Sequence, residues 1–417
     1  MFSTIINAFR VKELRNKIFY TIFMLIIFRL AGFITIPGVD NNAIASLLDQ
    51  YDALNFMDMI SGGGLSQMSV IAMSITPYIN SSIIMQLLTI AIPALERLSK
   101  EGEEGRKKIA TITRYLTVVL AFIQATGMYF GFSGLVLERT VLSYFTVILS
   151  LTAGTAFLMW LGEKITEHGI GNGISLIIFA GIVSRFPTMV NVAVQNSAGT
   201  SGVIQAIIYA IVIVAVLGFV VLLNDAERRI PVQYAKRVVG RKMYGGQSTY
   251  VPIKVSMAGV MPIIFAMSIL MFPATVMQLF GKTDGWVMRI LSQDSWVYII
   301  LYFLLILFFT FFYTKIQFNT VEIANNMKNN GGSIRGIRAG KPTSEFIDKS
   351  LNKITMAGGI FIALIATVPM ILGMFMPSMS GIALGGTSLL IVVGVILETG
   401  KQIESQMMMR NYKGFLD

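Results

Sequence analysis

The sequence contains no cysteine and only one histidine, His168, in 417 residues. The missing cysteines exclude disulfides, thiolate metal sites and a cysteine nucleophile. A histidine-based metal site or a serine–histidine relay would depend on His168 alone. The chain also has no G-x-x-x-x-G-K-[ST] phosphate-binding loop and no H-E-x-x-H zinc motif. We therefore expect no catalytic residues, no bound metal and no cofactor.

Charge is scarce as well. Charged residues make up 13% of the chain and hydrophobic residues 54%, whereas soluble proteins carry about 25% charged residues. This composition predicts an all-α polytopic membrane protein. Hydropathy predicts ten transmembrane helices, at roughly residues 18–37, 74–95, 112–132, 141–162, 172–190, 203–223, 256–280, 296–318, 354–376 and 384–401.

The positive charges are distributed unevenly between the two sides of the predicted bundle. Of the 33 Lys and Arg residues, 28 fall on one side and four on the other, and Arg29 lies inside the first span. Basic loops stay in the cytoplasm, so both termini are predicted to be cytoplasmic. Two long loops, at 225–254 and 319–353, are polar and basic. They could sit on anionic lipid, bind RNA phosphate, dock a partner protein or act only as topology determinants.

One stretch is too long for a single span. Residues 59–95 are 37 residues without a charge, about 55 Å as a helix, whereas the hydrocarbon core is about 30 Å thick. Three successive glycines, at 62–64, break the stretch. Non-helical backbone survives at this depth only inside protein or beside a water-filled cavity. We therefore predict a cavity holding a short re-entrant half-helix, with the glycines as its hinge.

Two motifs recur five helices apart. Ile-Thr-Pro-Tyr-Ile at 75–79 is echoed by Val-Met-Pro-Ile-Ile at 260–264, and Gly-Ile-Ser-Leu-Ile-Ile at 173–178 by Gly-Thr-Ser-Leu-Leu-Ile at 386–391. An odd offset inverts the topology. The pattern predicts one membrane domain made of two inverted five-helix halves, 1–200 and 201–417, with the working site near the midplane between them.

The repeated motifs supply aliphatic side chains to equivalent positions. A ring of such side chains would form a constriction that sheds water and seals against ions. The isoleucines concerned are Ile75, Ile79, Ile174, Ile178, Ile264 and Ile391.

Three functions are compatible with this plan. A passive polypeptide channel fits the uncharged midplane. A secondary transporter fits the inverted repeats but normally needs ionisable residues at the midplane. Only Arg29 lies well inside a span, and it is expected to pack between helices or to face a partner. An intramembrane enzyme fits least, since no intramembrane carboxylate pair is present.

Several motifs, in order along the chain, resemble the SecY family, the channel subunits of the protein-secretion translocase. They include IPGVD at 36–40, SGGGLSQMSVIAMSITPYINSSIIMQLLT at 61–89, LGEKITEHGIGNGISLIIFAGIV at 161–183, ERRIPVQYAKR at 227–237 and GIRAG at 336–340. The resemblance implies a channel that translocates unfolded polypeptides across the plasma membrane and opens sideways to lipid. The two halves would be hinged on one side, with helices two and three facing seven and eight.

The resemblance also implies residue roles and partners. The six isoleucines would form the pore ring, and residues of about 56–73 the plug, with plug and hinge positions Ser61, Gly62, Gly63, Gly64, Leu65 and Met68. Asn80 and Gln86 would lie along the lateral gate. Arg338, Arg335, Arg237 and Arg241 would dock the SecA motor ATPase or the ribosome, and Ala339 replaces a frequent family proline. Implied partners are SecE, usually SecG, signal peptides, unfolded preproteins and membrane lipid.

Overall fold

The computed structural model of the chain describes residues 8–40, 44, 58–131, 140–196, 200–234, 237–239, 242–244, 248–279, 290, 295–375 and 380–413. Long helices dominate it, and each predicted span overlaps one of them. They are α1 (Lys12–Ala31), α2 (Thr76–Ala91), α4 (Glu103–Gly131), α5 (Val141–His168), α6 (Gly173–Asn196), α7 (Thr200–Asp225), α8 (Met261–Leu279), α9 (Trp296–Gln317), α11 (Lys341–Phe375) and α12 (Ser380–Lys413). Two shorter helices are α3 (Pro93–Lys100) and α10 (Thr320–Asn329).

The chain is a multi-pass membrane protein. By length and hydropathy, four helical stretches within the described residues are able to cross a membrane, and they lie in α4, α5, α9 with α10, and α11. The pair α2 and α3 adds a fifth if it counts as one span, bent by 100° at Ile92. Helices α6, α7 and α8 contain shorter apolar stretches. The total of ten spans therefore stays a prediction.

The two halves of the bundle use the same helix neighbours. In the first half, α1 packs against α5 and α6, α2 against α4, α4 against α5, and α5 against α6. In the second half, α7 packs against α11 and α12, α8 against α9, α9 against α11, and α11 against α12. This is the pattern expected of a structural repeat. The halves meet where α8 contacts α2 and α4, and where α12 contacts α6.

A small sheet accompanies the helices, and the sequence analysis missed it. Both long loops contribute strands. Strand β1 (Glu227–Tyr234) pairs antiparallel with β4 (Ser248–Lys254) on one side and with β5 (Gly332–Ile334) on the other. A separate hairpin joins β2 (Arg237–Val239) to β3 (Lys242–Tyr244).

A second hydrophobic core lies beneath this sheet. Ile230 and Val232 of β1 alternate with exposed residues and pack with Ile253, Met327 and Ile334. Ile347 and Leu351 of α11 join them, so this helix begins at Lys341, well before the predicted start of the span at 354. The apolar residues at 347 and 351 lie on one helix face. This face packs against the sheet, and the helix therefore continues beyond its membrane-spanning part.

Candidate functional site

A small apolar cavity of about 20 Å³ lies where the two halves meet. It is lined by one isoleucine from each repeated motif, namely Ile79 of α2, Ile178 of α6, Ile264 of α8 and Ile391 of α12. The volume has room for about one water molecule, to which isoleucine offers no hydrogen bond. Among the described residues that line this constriction, none is charged.

The other two predicted ring residues lie elsewhere. Ile174 lines a wider neighbouring cavity and is half-buried. Ile75 is fully buried at the start of α2 and belongs to the lining of neither cavity. In their place, Met267 and Met271 face the constriction from α8. Their spacing of three and seven residues from Ile264 puts them on its helix face, a signal that sequence reasoning overlooked.

The wider cavity, of about 440 Å³, shares Ile79, Ile178 and Ile264 with the constriction. Its other lining is largely polar and includes Arg114 and Glu163, which form an ion pair at 2.8 Å between α4 and α5. These residues lie near the N-terminal end of α4 and the C-terminal end of α5, beside the basic loops. A polar vestibule thus ends at an apolar constriction.

Residues 58–75, called the re-entrant segment below, lie beyond the constriction. All six predicted plug and hinge residues in it are buried, and Ile60 contributes to the lining of the constriction. Its backbone pairs with the chain after α1, where Ile36 donates to the Met68 carbonyl and Val70 donates to that of Ile34, both at 2.9 Å. The segment is therefore packed into the bundle.

The predicted half-helix is absent from most of this segment. Only residues 58–60 are helical, and residues 61–75 form a series of turns. Gly62, Gly63, Met68 and Ser74 all have positive φ, which interrupts helical hydrogen bonding. The Ser61 hydroxyl also accepts hydrogen bonds from the Gly64 and Leu65 N–H groups, a local alternative to a helix.

The glycines of the predicted hinge are tightly packed. A Cβ atom at Gly62 would lie 2.9 Å from the Ser184 hydroxyl and 3.2 Å from the Gly181 Cα. Gly62 also has a φ of +69°, so glycine is required there by both space and backbone geometry. The hinge role of these three glycines stays a prediction.

Charged residues that sequence reasoning did not assign hold the re-entrant segment. Asp58, which is buried, forms an ion pair with Arg185 of α6. Arg29 of α1, expected to pack between helices or to face a partner, donates to the Gly62 carbonyl and to the Ser184 hydroxyl. No local pattern marks these residues, since their partners lie 33 to 155 positions away.

The two predicted gate residues have different surroundings. The Gln86 side-chain amide donates to the Tyr313 hydroxyl at 3.2 Å and so joins α2 to α9. The Tyr313 ring packs against Phe265 of α8, with 5.2 Å between centroids. Asn80 is buried and lines neither cavity.

Two of the four predicted docking arginines are exposed on the basic side of the bundle. Arg335 and Arg338 follow β5 in a turn that is closed by a 2.8 Å hydrogen bond from the Thr343 hydroxyl to the Arg338 carbonyl. Arg237 is the first residue of β2. Arg241 lies outside the described residues.

Comparisons with known proteins agree on one family. The SecY family model matches residues 69–400. Protein translocase subunit SecY of Halalkalibacterium halodurans is 46% identical over 430 residues, and that of Streptomyces scabiei is 44% identical over 436 residues, with 100% of both chains covered in each case.

Solved structures share the fold. A protein-conducting channel has a TM-score of 0.67 at 20% identity, covering 94% of this chain and 92% of that one. Sec61 from a canine ribosome–channel complex has a TM-score of 0.63 at 19% identity, with the same coverage. Since the family model matches most of the chain and the relatives align along its whole length, this chain belongs to the SecY family.

Proposed function

We propose that this chain is a protein-conducting channel through which unfolded secretory polypeptides cross the plasma membrane of a bacterium. The isoleucine constriction between the halves carries the proposal. Isoleucines exclude water and ions at rest, and they offer no fixed hydrogen bonds that would select one polypeptide over another. The names of the two bacterial relatives, protein translocase subunits, support the same function.

Sideways release of membrane segments would occur between α2 and α4 on one side and α8 and α9 on the other. This seam is bridged by the neutral hydrogen bond between Gln86 of α2 and Tyr313 of α9 and by the packing of α8 on α2 and α4. A neutral hydrogen bond contributes about 1 kcal/mol, so this bond alone would offer little resistance to a hydrophobic signal sequence that binds between the helices.

The driving energy would come from a partner, SecA or a ribosome, at the basic side. Exposed Arg335 and Arg338, together with Arg237 and Arg241, would provide the docking charges, and both termini would be cytoplasmic. The similarity to Sec61 solved in a ribosome–channel complex supports a ribosome as one such partner. SecE and SecG are proposed as accompanying subunits.

The test is site-specific crosslinking to a stalled secretory precursor. The chain has no cysteine, so Ile79→Cys or Ile264→Cys places a crosslinker at a single position. We expect adducts with the precursor from both positions, because both residues line the constriction.

The matched control is Ile211→Cys on α7, where Ile211 is 63% exposed on the outside of the bundle. No adduct is expected from it. Adducts from neither Ile79→Cys nor Ile264→Cys would overturn the proposal, as would equal adducts from all three positions. Gradient-driven flux of a small solute through liposomes containing the protein would favour a transporter instead.

A further inference from the structure

The buried end of the re-entrant segment carries a concentration of charge that the channel proposal leaves unused. The Asp58 side chain is 1% exposed, yet it is a carboxylate. The Arg185 side chain is 26% exposed, and Arg29 reaches the same segment from α1. One acidic and two basic groups therefore meet in the segment that adjoins the apolar constriction.

Asp58 organises the turn around itself. Its carboxylate pairs with Arg185 and accepts a 2.6 Å hydrogen bond from the Ser66 N–H. Arg185 donates in addition to the Ser66 hydroxyl, at 3.1 Å. The ion pair thus ties two points of the segment, eight residues apart, to the wall formed by α6.

Arg29 fastens the middle of the same turn. Its guanidinium donates to the Gly62 carbonyl and lies 5.1 Å from the centroid of the Phe33 ring. The segment is therefore held from α1 and from α6 at once. These polar contacts break together when the segment leaves, because they all converge on one turn.

Part of the segment's polar surface lacks such contacts. Among the described residues, the buried Ser69 hydroxyl has no hydrogen-bond partner, and neither does the buried Thr155 hydroxyl of α5. Thr155 adjoins Gly154, whose Cα packs on the Val70 carbonyl. Unpaired buried hydroxyls regain hydrogen bonds on reaching water, so they favour departure and leave the charged contacts to oppose it.

We propose that Asp58, Arg185 and Arg29 form a charge latch that sets how often the re-entrant segment leaves the constriction. The proposal rests on the channel function, in which the departure of this segment opens the path. Buried ion pairs add little net stability but impose one geometry, and losing one partner is strongly unfavourable for the charge left behind. A latch of this kind favours one closed position and disfavours partly open ones.

Removing the charge of Arg185 and removing the charge of Asp58 should affect the closed position of the segment unequally. Arg185→Gln leaves the deeply buried Asp58 carboxylate without its cation. Asp58→Asn leaves Arg185, which is partly exposed and able to turn towards water. The double variant leaves no orphaned acid, so it should be closed more firmly than Arg185→Gln.

The test follows the segment itself and needs no translocating substrate. Leu65 is fully buried, so Leu65→Cys in the purified complex reports departure of the segment by its rate of reaction with a water-soluble maleimide. We expect Arg185→Gln to raise this rate at least tenfold and Asp58→Asn to raise it less. The reaction rate in the double variant should be lower than in Arg185→Gln.

Two controls separate a latch from general loosening. Lys401→Gln removes a remote ion pair, with Asp225 at 2.9 Å, and should leave the rate at Leu65→Cys unchanged. Ala324→Cys reports on α10, where Ala324 is 2% exposed, and should stay unreactive throughout.

Equal rates at Leu65→Cys in the parent and in Arg185→Gln would overturn the latch, and so would a parallel rise at Ala324→Cys. If labelling behaves as expected but neither Ile79→Cys nor Ile264→Cys gives a precursor adduct, the channel proposal fails and the latch stands. The two failures are therefore distinguishable.

Discussion

The re-entrant segment and the seam between α2 and α9 close the bundle in physically different ways. The segment is held by the Asp58–Arg185 ion pair, by a second arginine, Arg29, and by backbone contacts too close for a side chain. The seam is bridged by one neutral hydrogen bond and by the packing of α8 on α2 and α4. Losing a charge partner in a buried site costs several kcal/mol, whereas a neutral hydrogen bond contributes about 1 kcal/mol.

This difference indicates that opening along the axis and opening sideways require different free energies. Along the axis, closure depends on contacts that are made or lost together, so partly open states are disfavoured. In the proposed channel, sideways closure would depend on one neutral hydrogen bond and on helix packing, which a hydrophobic segment would replace with its own packing. The predictions below alter one closure at a time, from the largest expected effect on the closed state to the smallest.

The largest effect is expected from filling the contact between α5 and the re-entrant segment. A Cβ atom at Gly154 would lie 1.9 Å from the Val70 carbonyl oxygen. Gly154→Ala should therefore displace the segment, at about 1–3 kcal/mol of overpacking. The measurement is faster maleimide reaction at Leu65→Cys. Gly218→Ala is the control, since nothing lies within 4 Å of its Cβ position. An unaltered rate in Gly154→Ala would mean that this contact does not hold the segment.

A smaller effect is expected from wetting the constriction. Ile391→Asn places an amide among isoleucines, at a position that is 1% exposed. The amide gives water a hydrogen-bonding partner, so resting ion conductance in a planar bilayer should rise severalfold. Ile396→Asn, on the same helix but 46% exposed, should leave conductance unchanged. Identical conductance in the parent and in Ile391→Asn would contradict the role of the constriction as a seal.

A still smaller effect on the closed state is expected from weakening the seam between α2 and α9. Tyr313→Phe removes the hydroxyl that accepts from Gln86 and should weaken the seam by about 1 kcal/mol. Precursors with weakened signal sequences should then be translocated several times more efficiently in a reconstituted assay. Tyr78→Phe changes a second tyrosine of the same cavity and serves as the control. If both variants reject precursors with weakened signal sequences as strictly as the parent does, the hydrogen bond does not keep the seam closed.

No effect on either closure is expected from the exposed turn after β5. Arg338→Glu reverses a charge on the basic side and should lower SecA or ribosome affinity at least tenfold while resting conductance stays low. Arg338→Lys keeps the charge and should retain most of the affinity. Normal partner binding by Arg338→Glu would remove this residue from the docking surface.

The helices and four members of the constriction were predictable from local sequence. Ile79, Ile178, Ile264 and Ile391 stand in motifs that recur five helices apart, and two-fold repetition brings equivalent positions together where the halves meet. Ile75 and Ile174 do not line the constriction, so their place in a ring stays a prediction. Met267 and Met271 were missed although their helical spacing from Ile264 was readable.

The re-entrant segment was predicted in position but not in conformation. An uncharged stretch longer than a span requires a fold-back, and three glycines show where it occurs. Its turns depend on Asp58 and Ser61, whose side chains compete with the helix for backbone N–H groups. Likewise, β1 pairs with β5, which lies in a loop about one hundred residues further along. No local sequence pattern predicts this pairing.

The sequence by itself determined the membrane class, the approximate helices and the repeat, because hydropathy and periodicity are local properties of the chain. Only the tertiary structure decided which charges meet. Asp58 and Arg185 are both rare charges in apolar surroundings, and burial of one requires the other nearby. That requirement is satisfied between Asp58 and a helix more than one hundred residues further along, so the pair appears only once α6 has packed against the re-entrant segment.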